Sequence, residues 1–141
     1  MANTKEILTG TYAEKLKTGG ELKVSADSWR LEYYFPGPDM RYSGTFVRIE
    51  DKHIDSYIEA WRNNFSKYLH IKEILPTGGN SDYPGEMGMS IRFGFNEGVC
   101  LKSYHLPIKT QEQLSDIIED YEGAKKKAAL IQRILRGEDN L

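Results

Sequence analysis

Histidine, cysteine and paired carboxylates do most of the chemistry that proteins perform near neutral pH, and this chain holds few of them in useful spacings. Its three histidines are His53, His70 and His105, and its one cysteine is Cys100. No two histidines stand at a His-x-His or His-x-x-x-His spacing, and Cys100 has no cysteine partner, so no metal site is expected. A nucleophilic Cys100 needs a thiolate, a positioned base and an oxyanion donor. Arg92 and Lys102, expected beside it on the outer face of a strand pair, would favour the thiolate, but no base is identifiable. An incidental surface cysteine is the expectation. His70 falls at the far end of a helix, where a cation suits the dipole. His105 is expected at a sheet edge opposite Met89; turned toward the loop at 76–86 it could pair with Asp82 or Glu86 as an acid–base couple. Gly78-Gly79 and Gly85-x-x-Gly88 sit in a Pro-rich context and read as turns rather than a phosphate cradle. No Gly-x-Ser-x-Gly elbow is present. No catalytic residue and no cofactor is expected.

What remains is a surface. Arg30, Glu32, Tyr34, Phe46, Arg48, Arg92, Lys102 and Tyr104 are expected on the outer face of one sheet, away from its helices. The loops at 36–42 and 76–88 add Met40, Arg41, Tyr42 and Tyr83. Arginine and tyrosine are enriched where proteins bind proteins, because each combines contact area with directional hydrogen bonds. The same mixture suits base stacking with phosphate neutralisation. A solvated face, with Glu32 pairing an arginine, is the plain alternative.

The elements that must carry these residues follow from periodicity. Residues 3–17 place Ile7, Leu8, Tyr12 and Leu16 among charges, which predicts a short N-terminal helix interrupted by Gly10. Leu22 and Val24 predict a strand. Trp29, Leu31, Tyr33 and Phe35 alternate with Arg30, Glu32 and Tyr34, and Thr45, Val47 and Ile49 alternate with Phe46 and Arg48. Asp51 is a plausible N-cap for a helix whose apolar face is Ile54, Tyr57, Ile58, Trp61, Phe65, Tyr68 and Leu69. Pro76 to Gly85 is too rich in turn residues for regular structure. Met89, Ile91, Phe93 and Phe95, then Val99 and Leu101, predict a hairpin whose three-residue loop pairs Phe95 with Val99 and Phe93 with Leu101. Pro107 is expected to end that strand. Thr110 and Gln113 form a capping box for a last helix that Gly123 could break and Gly137 ends.

Residues 29–69 and 89–131 both read strand, turn, strand, cap, helix. An offset of 60 aligns Ile54, Ile58 and Trp61 with Leu114, Ile118 and Tyr121. The expected fold is therefore α+β: a single domain over 1–141, with a five-stranded, mainly antiparallel sheet built as two ββα halves. Both long helices lie on one face of it, beside the short N-terminal helix.

The chain has 141 residues, 19 basic and 21 acidic, for a formal charge of −2. That balance argues against duplex DNA or an anionic membrane as partner. No signal peptide and no apolar run of membrane-spanning length is visible, so a cytoplasmic protein is expected. The favoured function is a non-enzymatic binding protein of the inhibitor or immunity type, by analogy of size and class. It would occlude or sequester a protein target through Arg30, Tyr34, Arg41, Tyr42, Phe46, Arg48, Tyr83, Arg92, Lys102 and Tyr104. The alternative is a nucleotide or single-stranded nucleic-acid binder using the same face. Either a monomer or a homodimer is compatible with apolar Leu130, Ile131, Ile134 and Leu135 near the last helix end.

Overall fold

The computed structural model describes residues 10–37, 44–75 and 80–138. The fold is α+β, with two four-stranded antiparallel sheets and two long helices. In chain order the elements are β1 (Thr11–Lys15), β2 (Glu21–Ser25), β3 (Trp29–Phe35), β4 (Thr45–Glu50), α1 (Ile54–Ile74), β5 (Ser81–Pro84), β6 (Ser90–Phe93), β7 (Gly98–Lys102), β8 (His105–Ile108) and α2 (Gln111–Leu135). Each sheet is a simple meander, β1-β2-β3-β4 and β5-β6-β7-β8. The chain divides into two compact units, one of Met1–Ile54 with Glu119–Leu141, the other of Asp55–Ile118.

The expected five-stranded sheet is thus two sheets of four, because three segments without a clear strand pattern also form strands. Residues 11–15 are β1, not helix: Tyr12 and Glu14 turn inward, and Thr11, Ala13 and Lys15 stay exposed. The Tyr12 hydroxyl donates to Glu14 at 2.5 Å, and Lys127 of α2 ion-pairs with the same carboxylate. Ile7 and Leu8 lie outside the described residues. Ser81–Pro84 is strand β5, which Pro84 permits because β5 is an edge and needs no donor on its open side. Beyond β7 the chain reverses at Ser103-Tyr104, with Ser103 at a φ of 53°, and continues as β8 through Pro107.

In the first unit, Leu22, Val24, Leu31, Tyr33, Val47 and Ile49 form the buried face, and Leu22, Leu31 and Ile49 lie in one row across three strands. Each such side chain contributes about 1.5–3 kcal/mol by leaving water. Tyr121, Ala124, Ala128 and Ile131 are the buried residues of the α2 stretch in this unit. Polar ties pin α2 to the turns. Asp120 accepts the Thr18 amide at 2.8 Å and the Thr18 hydroxyl. Gln132 donates to the Ser25 carbonyl at 3.2 Å, and Arg136 to that of Ala26 at 2.9 Å. Gly123 does not break α2; an exposed glycine mid-helix costs only about 1 kcal/mol. Gly137, at a φ of 75°, ends it in a Schellman cap: Glu138 donates to Arg133 and Gly137 to Ile134. The Thr110–Gln113 capping box forms in both directions, each bond 3.1 Å.

In the second unit, Met89, Ile91, Phe93, Val99, Leu101 and Ile108 are buried, as are Ile58, Trp61, Asn64, Phe65 and Tyr68 of α1. Tyr68 stacks on Phe93 at 5.2 Å. Asn64 holds the turn after β5 by accepting the Glu86 amide at 2.9 Å and donating to its carbonyl at 3.2 Å. Asp51 does not cap α1 in the expected way; its carboxylate takes the amides of Trp29 and Lys52. The β6–β7 register also differs from expectation: Ile91 pairs with Val99 and Arg92 with Gly98, so Phe95 lies in the turn, 65% exposed. Apolar still faces apolar, because the shift preserves side-chain parity. Gly98 serves β8 rather than the turn: its φ is 134°, and a Cβ there would stand 2.6 Å from the Ile108 carbonyl oxygen.

Each sheet is followed in the chain by a helix most of which belongs to the unit of the other sheet. α1, after β4, ties to the second sheet's turns through Asn64–Glu86 and through Tyr68 and Lys72 to Glu97. α2, after β8, ties to the first sheet's turns through Asp120–Thr18 and Gln132–Ser25. The offset of 60 thus marks equivalent helix positions: Ile54, Ile58, Trp61, Leu114 and Tyr121 are buried and Ile118 is half-buried.

Candidate functional site

The expected surface residues do not share one sheet. Arg30, Tyr34, Phe46 and Arg48 lie on the outer face of the first sheet, and Tyr83, Arg92, Lys102 and Tyr104 belong to the second. Arg41 and Tyr42 lie outside the described residues.

On the first sheet, alternation sets Lys23, Arg30 and Glu50 in one row, Glu21, Glu32 and Arg48 in the next, and Tyr34 opposite Phe46 in a third. Glu32 is the hub. Only 8% of it is exposed, and it gathers Lys23 at 2.8 Å, the Arg30 Nε at 2.5 Å and the Arg48 Nε at 3.6 Å. Burial raises the Glu32 pKa, but hydrogen bonds from Arg30 and Lys23 outweigh it and hold the carboxyl below its usual range. The Glu32 hydrogen bond in turn raises Lys23. Glu21 and Glu50 add partners at 3.5 Å from Lys23 and 3.9 Å from Arg48. The three cations therefore meet three carboxylates. Lys23, Glu21 and Glu50 were not among the expected site residues, although the period-2 pattern around Leu22, Val24 and Ile49 carries them.

Beside this network stands the aromatic pair. Tyr34 is 63% exposed and Phe46 51%, directly opposite one another across β3 and β4. Gly44 makes room for Tyr34: a Cβ there would stand 2.7 Å from the ring and from the Phe35 carbonyl oxygen.

The second sheet's outer face is closed where the first is open. The turn after β6 folds back over the sheet, so Arg92 Nε donates to the Phe95 carbonyl at 3.4 Å and the Cys100 thiol to that of Asn96 at 3.5 Å. The Asn96 side chain reaches the Tyr104 carbonyl at 3.0 Å. Cys100 is completely buried rather than a surface thiol, and burial pushes its pKa up to about 11 despite Arg92 nearby. A thiolate nucleophile is disfavoured there. Arg92 pairs with Asp82 at 3.0 Å. Glu86 accepts from Asn63, so both carboxylates considered for His105 have other partners. The His105 ring instead lies 4.3 Å from that of Tyr104. Tyr83 is not a surface residue: it is half-buried on the core side, edge-on to Phe93 at 6.0 Å. Lys102 and Tyr104 are exposed.

Among the described residues no cluster of three or more His, Cys, Asp or Glu side chains could hold a metal ion, and no helix is long and apolar enough to cross a membrane. No family model, no curated protein and no solved structure matches the chain.

Proposed function

We propose that this chain is a non-enzymatic binding protein that covers part of a protein target with the outer face of its first sheet. One observation carries the reading: Tyr34 and Phe46 stand side by side, more than half exposed, on a pair of strands with unbroken register. Adjacent large aromatics in water are the usual anchors of a protein interface, and a polar rim excludes water around them. Here the rim is the Glu32 network. Its balance of cations and carboxylates favours a protein surface with an apolar side chain and mixed polar groups over a phosphate-rich ligand. A nucleotide would have to displace Glu32 or Glu50 from the arginines it needs.

The test compares the wild type with two double variants, Tyr34→Ser/Phe46→Ser and Lys102→Ser/Tyr104→Ser. Each is used to capture proteins from a native extract, and any captured protein is purified and titrated by calorimetry. The expected result is at least about tenfold weaker binding for the first variant, the loss of two anchors, with the second unchanged. Equal binding by all three removes the proposed face. A nucleotide-sized mass retained by the wild type in native mass spectrometry, and lost in the first variant, would replace the protein target with a small ligand.

A further inference from the structure

We infer that β4 is a pairing edge for a second copy of this chain, joining two first sheets into one continuous sheet across a two-fold axis at Val47. The inference does not depend on the protein target proposed above, since it concerns the purified chain alone. Open strand edges invite pairing, and proteins guard them with prolines, lysines, kinks or short length. Among the described strands, three of the four sheet edges are guarded in this way. β5 has four residues and ends in Pro84; β8 has four, contains Pro107 and is kinked at Leu106, whose φ is 59°. β1 ends in Lys15, and its Glu14 is drawn to Lys127. β4 differs. It runs for six residues without proline, lysine or bulge, paired with β3 at every position.

The backbone of β4 is set for it. The Trp29 amide points toward the β4 side, where Asp51 takes it at 3.2 Å, and the Ser28 carbonyl points toward β2, where it accepts from Ser25. Alternation along an antiparallel ladder then gives Leu31, Tyr33 and Phe35 the hydrogen bonds to Ile49, Val47 and Thr45. Phe46, Arg48 and Glu50 are left with their amides and carbonyls directed to the open edge, and among the described residues no other segment bonds to them.

The side chains select both the partner and the register. An antiparallel copy centred on Arg48 would set two arginines face to face. Centred on Val47, it puts Phe46 of each chain opposite Arg48 of the other on the outer face, and valine against valine on the core side. Arg48, on the edge strand itself, is the most loosely held of the three cations. It is half exposed and holds Glu32 and Glu50 only at 3.6 and 3.9 Å, whereas Arg30 and Lys23 hold Glu32 at 2.5 and 2.8 Å. A guanidinium over an aromatic ring is attracted by the ring's negative face, here twice by symmetry.

The test is sedimentation equilibrium in the analytical ultracentrifuge on the full chain across the micromolar range, with two variants at the exposed position 46. Phe46→Arg sets like charges opposite each other and should weaken the dimer at least about tenfold; Phe46→Glu sets an ion pair there and should hold or tighten it. In the wild type, amide exchange at Phe46, Arg48 and Glu50 should slow as concentration rises. A protein that stays monomeric throughout overturns the inference. So does a dimer indifferent to both variants. The reverse order of the two variants would overturn the Val47 register, because it would mean that Phe46 faces Glu50.

Discussion

The two sheets have the same strand order and the same meander connections, yet their outer faces have opposite fates. On the first, Tyr34 and Phe46 stand in solvent and strand register gathers the charges around Glu32. On the second, the turn after β6 doubles back, and Cys100, equally outward-facing by alternation, is sealed beneath it. Strand pattern decides which side chains point out. The backbone of one turn decides whether they are reachable. Gly94 at a φ of 93° and Asn96 at 52° let the second turn fold over, and Gly98 at 134° lets β8 come close beside it.

The contrast can be broken hardest at Gly98. Gly98→Val forces a side chain into the Ile108 carbonyl at a positive φ, and should cost about 3 kcal/mol or more. Thermal unfolding would read this as a drop of roughly 10 °C. Amide exchange should rise first in β7 and β8 while β2 and β3 stay protected; a variant as stable as the wild type would show that this close approach is not needed.

A smaller effect is expected at the anchor that holds the same turn from the core side. Glu97 accepts from Lys72 at 2.7 Å and from the Tyr68 hydroxyl at 2.5 Å. These bonds pull its carboxyl down to about 2. A depressed carboxyl stabilises the fold above its unfolded pKa of about 4.3, and that contribution is lost as pH falls through the folded value. The wild type should therefore lose stability between about pH 4 and pH 2 more steeply than Glu97→Gln, which should already be about 1–2 kcal/mol weaker at neutral pH. Parallel pH profiles for the two proteins would remove the anchor.

The smallest effect sharpens the comparison. Asn96→Gly keeps the turn's backbone but removes the bond to the Tyr104 carbonyl, so stability should change by less than about 1 kcal/mol. Alkylation of Cys100 should nevertheless quicken several-fold, since the thiol is shielded by that turn. An unchanged rate would assign the shielding to Arg92 instead.

Residue alternation made much of this legible beforehand. The faces of β3 and β4, the apolar stripes of both helices apart from Leu69, which is 45% exposed, the Thr110–Gln113 box and the Gly137 cap all follow from local rules. β1 was not legible because Tyr12 and Leu16 also fit a helical period, and its inward partner, Lys127, is distant in sequence. β5 was hidden by prolines and glycines that an edge strand tolerates. The division of the expected surface between two sheets, and the burial of Cys100 and Tyr83, depend on strand pairing and on one folded-back turn. Neither leaves a periodic signal.

The crossing of helices between sheets sets an order of events during synthesis. The first sheet is complete at Glu50, but the helix stretch that ties to its turns begins only at Glu119. Until that stretch leaves the ribosome, the apolar row of Leu22, Leu31 and Ile49 lacks this cover. Such late, non-local closure slows folding and prolongs exposure of apolar strands. A nascent chain halted anywhere in the second sheet should thus be a client for chaperones that recognise apolar strands, and release of the full chain should end that dependence.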